Sequence, residues 1–317
     1  MYKSKKIGVV VPSYNVSHLV DRVIETMPDF IDNIVIVNDC SKDDTRQVVE
    51  SYLPENNKVV LLNHEVNQGV GGAIATGYKW CRDNEMDVAV VMAGDAQMDP
   101  KDLPALLDPV VEGKADYTKG NRLFTGDAWN IIPRDRYLGN SALSFLTKMA
   151  SGYWHVADSQ CGYTAINKAA LKRINWDQMY KRYGQPNDLL VRLNIYDFVV
   201  EDVPVTPVYD IGEKSGFKPL RMIPKLSWLL FKIFLYRMTQ KYVIRDFHPL
   251  VLFYLTGALL GLIDLAFIIR FIVRWISLGS TPEITLFVII FLSFSSLQCF
   301  LFAMLFDFEL NRKQRNS

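Results

Sequence analysis

Val88-Ala89-Val90-Val91-Met92-Ala93-Gly94-Asp95-Ala96-Gln97-Met98-Asp99-Pro100 joins an unbroken apolar run to an acidic cluster that contains a glycine. The run predicts a strand shielded from water on both faces, and the cluster is what that strand delivers at its carboxyl end. Working outward, the same design recurs three times upstream. Ile7–Val11 ends in Pro12-Ser13-Tyr14-Asn15, Ile34–Val37 ends in Asn38-Asp39-Cys40-Ser41-Lys42-Asp43-Asp44, and Val59–Leu62 ends in Asn63-His64-Glu65-Val66-Asn67-Gln68-Gly69. Helical stretches follow each run, at Val16–Met27, Asp43–Tyr52, Gly71–Arg82 and Lys101–Val111. Four rounds of strand then helix predict an α/β fold, a mostly parallel sheet covered by helices, with ligands beyond the carboxyl ends of the strands.

Past Tyr117 the alternation weakens. Helices are expected around Arg136–Ala150 and Asn187–Tyr196, and short strands near Tyr163–Asn167 and Val199–Val203. From Lys218 to Phe247, Trp228, Phe231 and Phe234 mingle with Lys225, Lys232, Arg237, Lys241 and Arg245, a pattern for one or two helices lying in a membrane interface. Two longer apolar runs follow, Leu250–Ile269, interrupted by Asp264, and Ile284–Phe306. Each reaches ~20 residues, enough to cross the ~30 Å of a bilayer's hydrocarbon. A short Gly279-Ser280-Thr281-Pro282 turn makes them a hairpin with both ends on one side. Asp264 is costly in lipid and is expected to face protein, chiefly in helix packing.

Charge follows the same division. Residues 1–212 carry 22 Lys/Arg against 28 Asp/Glu, and residues 213–317 carry 13 against 6. The basic back half, with Arg312, Lys313 and Arg315 in the tail, predicts that both hairpin ends are cytoplasmic, whereas Arg270 and Arg274 count the other way. The N-terminal Met1–Asn15 has too short an apolar run for a signal peptide, so the large domain is expected to stay in the cytoplasm. Half the chain is hydrophobic, which excludes a disordered protein, and the apolar runs exclude a simple soluble enzyme. Cys40, Cys81, Cys161 and Cys299 form no C-x-x-C, and four scattered histidines form no H-E-x-x-H, which argues against zinc and against a disulfide framework. The glycine loop Asn67-Gln68-Gly69-Val70-Gly71-Gly72 lacks the third glycine of a dinucleotide fingerprint and follows the third strand rather than the first. No phosphate-binding G-x-x-x-x-G-K-[ST] is present.

Taken in order, Val9–Asn15, Val37–Thr45, Asn67-x-Gly69-x-Gly71-Gly72-Ala73 and Gly94–Pro100 resemble the family two glycosyltransferases of GT-A fold. With the two-helix tail, the chain is similar to their polyprenyl-phosphate branch. The resemblance covers residues 6–215 and implies four parts: a GT-A domain over 1–217, interfacial helices over 218–248, a transmembrane hairpin over 249–307 and a cytoplasmic tail over 308–317. It implies that Pro12, Tyr14, Asn15, Asp39, Asn67, Gly72 and Gly94 bind a nucleotide-diphosphate sugar, with Asp39 on the base or ribose. On the residues alone, Asn38, Asp39 and Ser41 could instead cap the helix that starts near Asp43.

The family's D-x-D motif reads Ala93-Gly94-Asp95 here, so its first aspartate is missing. Asp95 and Gln97 remain as the implied ligands for Mg²⁺ or Mn²⁺, hard cations that offset charge on a leaving diphosphate. Gly120-Asn121-Arg122 matches the family's G-S-R stretch, and Arg134 and Arg136 fall where an arginine meets the acceptor phosphate, a fit for guanidinium forks. Asp158-Ser159-Gln160-Cys161-Gly162-Tyr163 resembles the family's D-x-x-S-G-F/Y, whose aspartate lies at the catalytic centre and either orients a sugar or acts as a base. Lys214 or Lys218 stands for the lysine of the loop that closes over the phosphates. Catalytic roles are thus implied for Asp95, Arg122, Arg136 and Asp158, and acceptor-phosphate contacts for Arg134, Arg136, Lys214 and Lys218.

The expectation is an inverting enzyme of a membrane, with a bacterial inner membrane as its setting. It moves one sugar from a UDP- or GDP-sugar to polyprenyl phosphate. Its partners are that donor, the lipid carrier and the bilayer, with no nucleic acid, and a homo-oligomer is left open. Two rival readings stand beside it. One extends a lipid-linked saccharide through a hydroxyl with Asp158 as base; the other is a nucleotide-sugar-binding membrane protein without turnover. The Q-x-x-R-W signature of processive synthases is absent.

Overall fold

The computed structural model describes residues 1–123, 134–206, 208, 219–279 and 282–314, with side chains set aside at 134–142, 219–223, 278 and 313. Its central sheet takes seven strands, β1 (Ile7–Ser13), β2 (Asn33–Asn38), β3 (Val59–Asn63), β4 (Val88–Val91), β5 (Tyr117–Asn121), β6 (Thr164–Asn167) and β7 (Val200–Pro204), in the order β3-β2-β1-β4-β6-β5-β7. Pairings β1 with β2, β1 with β4, β2 with β3 and β5 with β7 are parallel, whereas β6 runs antiparallel to both β4 and β5. The order in which strands are added reverses between β1, whose next strand lies to one side, and β4, which lies to the other. That opens a crevice at the carboxyl ends of β1 and β4.

Alternation along each strand feeds two cores. Val10, Val35, Val37, Ala89 and Val91 face one layer with Tyr78, Tyr117 and Trp176, while Val9, Val11, Ile34, Ile36, Val88 and Val90 face the other with Leu103, Leu106 and Leu107. Because both faces are covered, the runs read as continuous apolar sequence. The covering helices are α1 (Val20–Glu25), α2 (Thr45–Tyr52), α3 (Val70–Asp83) and α4 (Leu103–Val111), the last entered through a helical turn at Pro100–Asp102. Then come α5 (Arg134–Ser151), α6 (Lys168–Arg173), α7 (Gln185–Ile195) and α8 (Pro219–Thr239). Strand β5 and helix α6 had no clear signal in the sequence.

Contacts divide the chain into two units, Met1–Phe234 with the residues from Lys313 onward, and Leu235–Arg312. In the first, Leu230 and Ile233 of α8 pack on Ala150, Val191 and Ile195, and the Gln314 amide bridges Asn194 at 2.7 Å and Asp197 at 2.7 Å.

The second unit holds α9 (Leu250–Leu278) and α10 (Glu283–Asn311), two helices long and apolar enough to cross a membrane. Gly279, with φ 66°, ends α9 in the left-handed conformation that glycine takes freely. Asp264 is buried and accepts the Ser293 hydroxyl, so its carboxylate packs helix against helix. Before α9, Arg237 and Tyr242 reach Asp307 near the end of α10. The guanidinium forks onto both carboxylate oxygens at 2.9 and 2.8 Å, the Tyr242 hydroxyl adds a third bond at 2.7 Å, and Asn311 closes the network.

Candidate active site

The carboxyl rim of the sheet holds three strained backbone positions. Asn15 (φ 53°), Cys40 (φ 60°) and Ala96 (φ 56°) follow β1, β2 and β4 in the left-handed region that non-glycine residues avoid. Hydrogen bonds tie Asn15 to the residues that follow Cys40: the Asn15 side chain accepts the Lys42 N–H at 2.8 Å, and the Asn15 N–H reaches the Ser41 hydroxyl at 3.1 Å. Gly94 donates its N–H to the Pro12 carbonyl at 3.2 Å, and a Cβ there would sit 2.6 Å from Ser13 Oγ, so the ends of β1 and β4 meet at a glycine. Tyr14 is left exposed on this rim.

Asp39 does not cap α2. Its buried carboxylate turns the other way, accepting the Gln68 N–H at 2.8 Å and the Gly69 N–H at 2.7 Å, and pairing with His64 Nδ1 at 2.7 Å. Thr76 of α3 sits at 2.9 Å from the other ring nitrogen. Asn67 is tied to the Asp39 carbonyl at 3.0 Å. Asp39 therefore organises the glycine loop ahead of α3.

The glycines earn their place by close approach as well as by turn geometry. Gly69 has φ 85°, and a Cβ on Gly71 would lie 2.2 Å from the Tyr180 carbonyl oxygen. Gly72 donates to the Lys181 carbonyl at 3.2 Å. Segment 180–182 thus lies directly on the loop, with Lys181 reaching Gln68 at 3.1 Å and Arg182 reaching Asn67 at 2.9 Å.

Beyond β4, Asp95 Oδ1 accepts the Gln97 N–H at 3.2 Å across the strained Ala96. This turn presents a partly exposed carboxylate and a carboxamide side by side. Both are hard oxygen donors, the kind Mg²⁺ and Mn²⁺ take, so the residues present fit a divalent cation with most of its positions left to phosphate and water. Ala93 adds no oxygen donor from its side chain, and its N–H points at Met98 Sδ at 3.3 Å. Among the described residues no group of three His, Cys, Asp or Glu is placed to hold a metal.

Gln97 and Arg122 line one cavity with Gly162, Tyr163 and Thr206. Arg122 follows β5 and forks onto Asp158, with Nε 2.7 Å from one oxygen and Nη2 3.1 Å from the other. Asp158 is fully buried, and the Gln160 N–H also reaches it at 3.2 Å. Burial pushes the Asp158 carboxyl up, but the charge and hydrogen bonds of Arg122 outweigh it, so the group lies below the usual carboxylate range. Both oxygens are engaged by a guanidinium. Such a group orients and neutralises; it is a poor proton acceptor. Lys119 lies fully buried on β5, its amine donating to the Cys161 carbonyl, with its pKa lowered by burial.

Arg134 and Arg136 open α5, whose first side chains lie outside the described residues, as do Lys214 and Lys218. The remaining expected site residues gather on one rim and its adjoining cavity. Sequence reasoning missed His64, Lys119, Lys181, Arg182 and Asp202. They sit outside the motifs.

Residues 8–174 match the model of glycosyl transferase family 2. The chain belongs to that family. It is 32% identical over 218 residues to the UDP-N-acetylglucosamine–dolichyl-phosphate N-acetylglucosaminyltransferase of Methanococcus voltae, covering 65% of this chain and 86% of the relative. Identity to the undecaprenyl-phosphate mannosyltransferase of Micrococcus luteus is 27%, over 66% of this chain and 87% of that one. Among solved structures, glucosyl-3-phosphoglycerate synthase of Mycobacterium tuberculosis, in complex with Mn²⁺, UDP and glucosyl-3-phosphoglycerate, superposes with TM-score 0.53 at 17% identity. The match covers 74% of this chain and 80% of that one, and it shows the shared GT-A fold. This family member is a glycosyltransferase.

Proposed function

We propose that the protein transfers one sugar, with inversion, from a nucleotide diphosphate to a phosphate oxygen of a polyprenyl lipid. The observation that carries this is the Arg122–Asp158 fork, which leaves no free carboxylate base on Asp158. A hydroxyl acceptor needs a base, whereas a lipid monophosphate is already an anion at neutral pH, its second pKa being ~6. Relatives that act on dolichyl and undecaprenyl phosphate support the same reading.

The nucleotide lies along the rim formed by Pro12, Tyr14, Asn15, the Asp39-held loop with Asn67 and Gly72, and Gly94. Asp95 and Gln97 hold Mg²⁺ or Mn²⁺, which when bound offsets the charge that builds on the leaving diphosphate. A lipid phosphate oxygen forms the new bond to the anomeric carbon as the bond to the diphosphate oxygen breaks, and the nucleoside diphosphate leaves with that electron pair. Arg122 screens the approaching anion, and Arg134, Arg136, Lys214 and Lys218 add cationic contacts to the lipid phosphate.

The two apolar helices cross the bilayer with both ends on the cytoplasmic side. The basic residues that precede the first helix and follow the second support that arrangement. A bacterial inner membrane fits as the setting.

The test is Asp158→Asn, assayed with polyprenyl phosphate. Its amide keeps a hydrogen-bond acceptor for Arg122, so a loss of about tenfold to a hundredfold is expected. A loss near ~10⁴-fold, as when a general base is disabled, would instead favour the hydroxyl acceptor.

A further inference from the structure

The Arg122–Asp158 fork is held from beneath by a carboxylate that no motif marks. Asp202 lies on β7 directly opposite Lys119 of β5 in the parallel ladder. One oxygen of Asp202 accepts the Ala157 N–H at 2.6 Å and the Asn121 amide at 3.2 Å. Ala157 immediately precedes Asp158, and Asn121 immediately precedes Arg122, so a single atom ties down both halves of the fork. The second oxygen is buried, with no hydrogen-bond partner among the described residues.

We propose that Asp202 is a positioning residue that sets the Arg122–Asp158 fork for sugar transfer, and that it does so in its ionised form. This rests on the function proposed above. An oxygen that accepts two N–H donors does so best with a full negative charge, because charge-assisted hydrogen bonds are roughly twice as strong as neutral ones. The unpartnered oxygen is where a proton would enter, and protonation slackens the tether.

The charged groups that act on Asp202 are Lys119 on β5, Asp158 on the connecting segment and Lys148 on α5. His155 is itself engaged, 2.8 Å from the Val200 carbonyl. Burial pushes the Asp202 carboxyl up to about 6, with the Ala157 N–H and Lys119 pulling the other way. A raised pKa means that the folded state is penalised for keeping this charge. The penalty is absent below the carboxyl's unfolded pKa of ~3.9, grows as pH rises and is complete above about 6. Stability and function therefore respond to the same proton in opposite directions.

The experiment uses full-length wild type, Asp202→Asn and Asp202→Ala in lipid nanodiscs, from about pH 5 to about pH 8. The melting advantage of Asp202→Asn over the wild type should be smallest at the acid end, grow to several degrees by about pH 6 and stay level above it. Relative to the wild type at each pH, which cancels ionisation of the acceptor phosphate, kcat of Asp202→Asn should be about three- to tenfold low near neutrality and approach the wild type toward about pH 5. Asp202→Ala should lose more kcat than the amide does, with donor KM within about twofold. A melting difference that does not change with pH, or a kcat ratio flat across the range, would overturn the proposal. Should the wild type transfer to no lipid phosphate, the functional reading fails. The melting series needs no substrate and still decides whether Asp202 works as an ionised tether.

Discussion

Replacing Arg122 by Ala removes both guanidinium bonds to a carboxylate that is fully buried. Breaking a buried ion pair from one side costs ~3–5 kcal/mol, and Arg122, whose side chain is 22% exposed, already has part of its charge in water, so we expect roughly 2–3 kcal/mol. The cost should depend on pH in a definite direction. In the wild type the Asp158 pKa is depressed, so the pair stabilises the fold above the carboxyl's unfolded pKa of ~3.9, and that contribution is lost as pH falls through the folded value. Without Arg122, burial acts with less opposition and raises the Asp158 pKa. The carboxylate then destabilises the fold at neutral pH and ceases to do so once protonated. The gap between wild type and Arg122→Ala should therefore be widest near neutrality and narrow toward about pH 5. Chemical denaturation at both pH values measures it. The double variant Arg122→Ala with Asp158→Ala should recover much of the loss, because no buried charge is left alone. A gap that is constant with pH and undiminished in the double variant would refute the reasoning. The same substitution should lower transfer by ~10²–10³.

Further outcomes are expected from other parts of the molecule. Asp95→Ala should cost ~10²–10³ in rate at fixed Mn²⁺, and Ala93→Asp should lower the metal concentration needed for half-maximal activity; both are read from metal titrations of the initial rate. Gly71→Ala forces a Cβ to within 2.2 Å of the Tyr180 carbonyl, so the loop must shift. A loss of ~1–3 kcal/mol on denaturation and a raised donor KM should follow. Arg237→Met leaves Asp307 buried without its fork, and thermal melting in detergent should register a loss of ~3–5 kcal/mol in the second unit. Removal of residues from Lys313 onward strips Gln314 from Asn194 and Asp197, and hydrogen exchange at the end of α7 should rise, for a cost of ~1 kcal/mol.

The first four strands were legible because each is buried on both faces and so carries an uninterrupted apolar run. Their polar ends were legible because the rim concentrates donors and acceptors in a few consecutive residues. Strand β5 was not, since four of its five buried positions are Thr118, Lys119, Gly120 and Asn121, which leave only Tyr117 as a large apolar side chain. Asp39 could be picked out from its motif, but the direction of its carboxylate could not, because the choice depends on a loop that returns 25 to 30 residues later. Asp202 and Lys119 escaped for the same reason: their pairing exists only once β7 lies beside β5. Asp95 and Gln97 could be picked out from their motif, whereas the strained Ala96 between them became visible only in the backbone.

The most direct measurement incubates the purified full-length protein with radiolabelled UDP- and GDP-sugars, Mn²⁺ and either polyprenyl phosphate or a lipid-linked saccharide, followed by organic extraction. The account expects label in the organic phase from one donor, only with polyprenyl phosphate as acceptor and only with divalent metal present. Label incorporated solely into the lipid-linked saccharide, or none with any donor and acceptor, would contradict it.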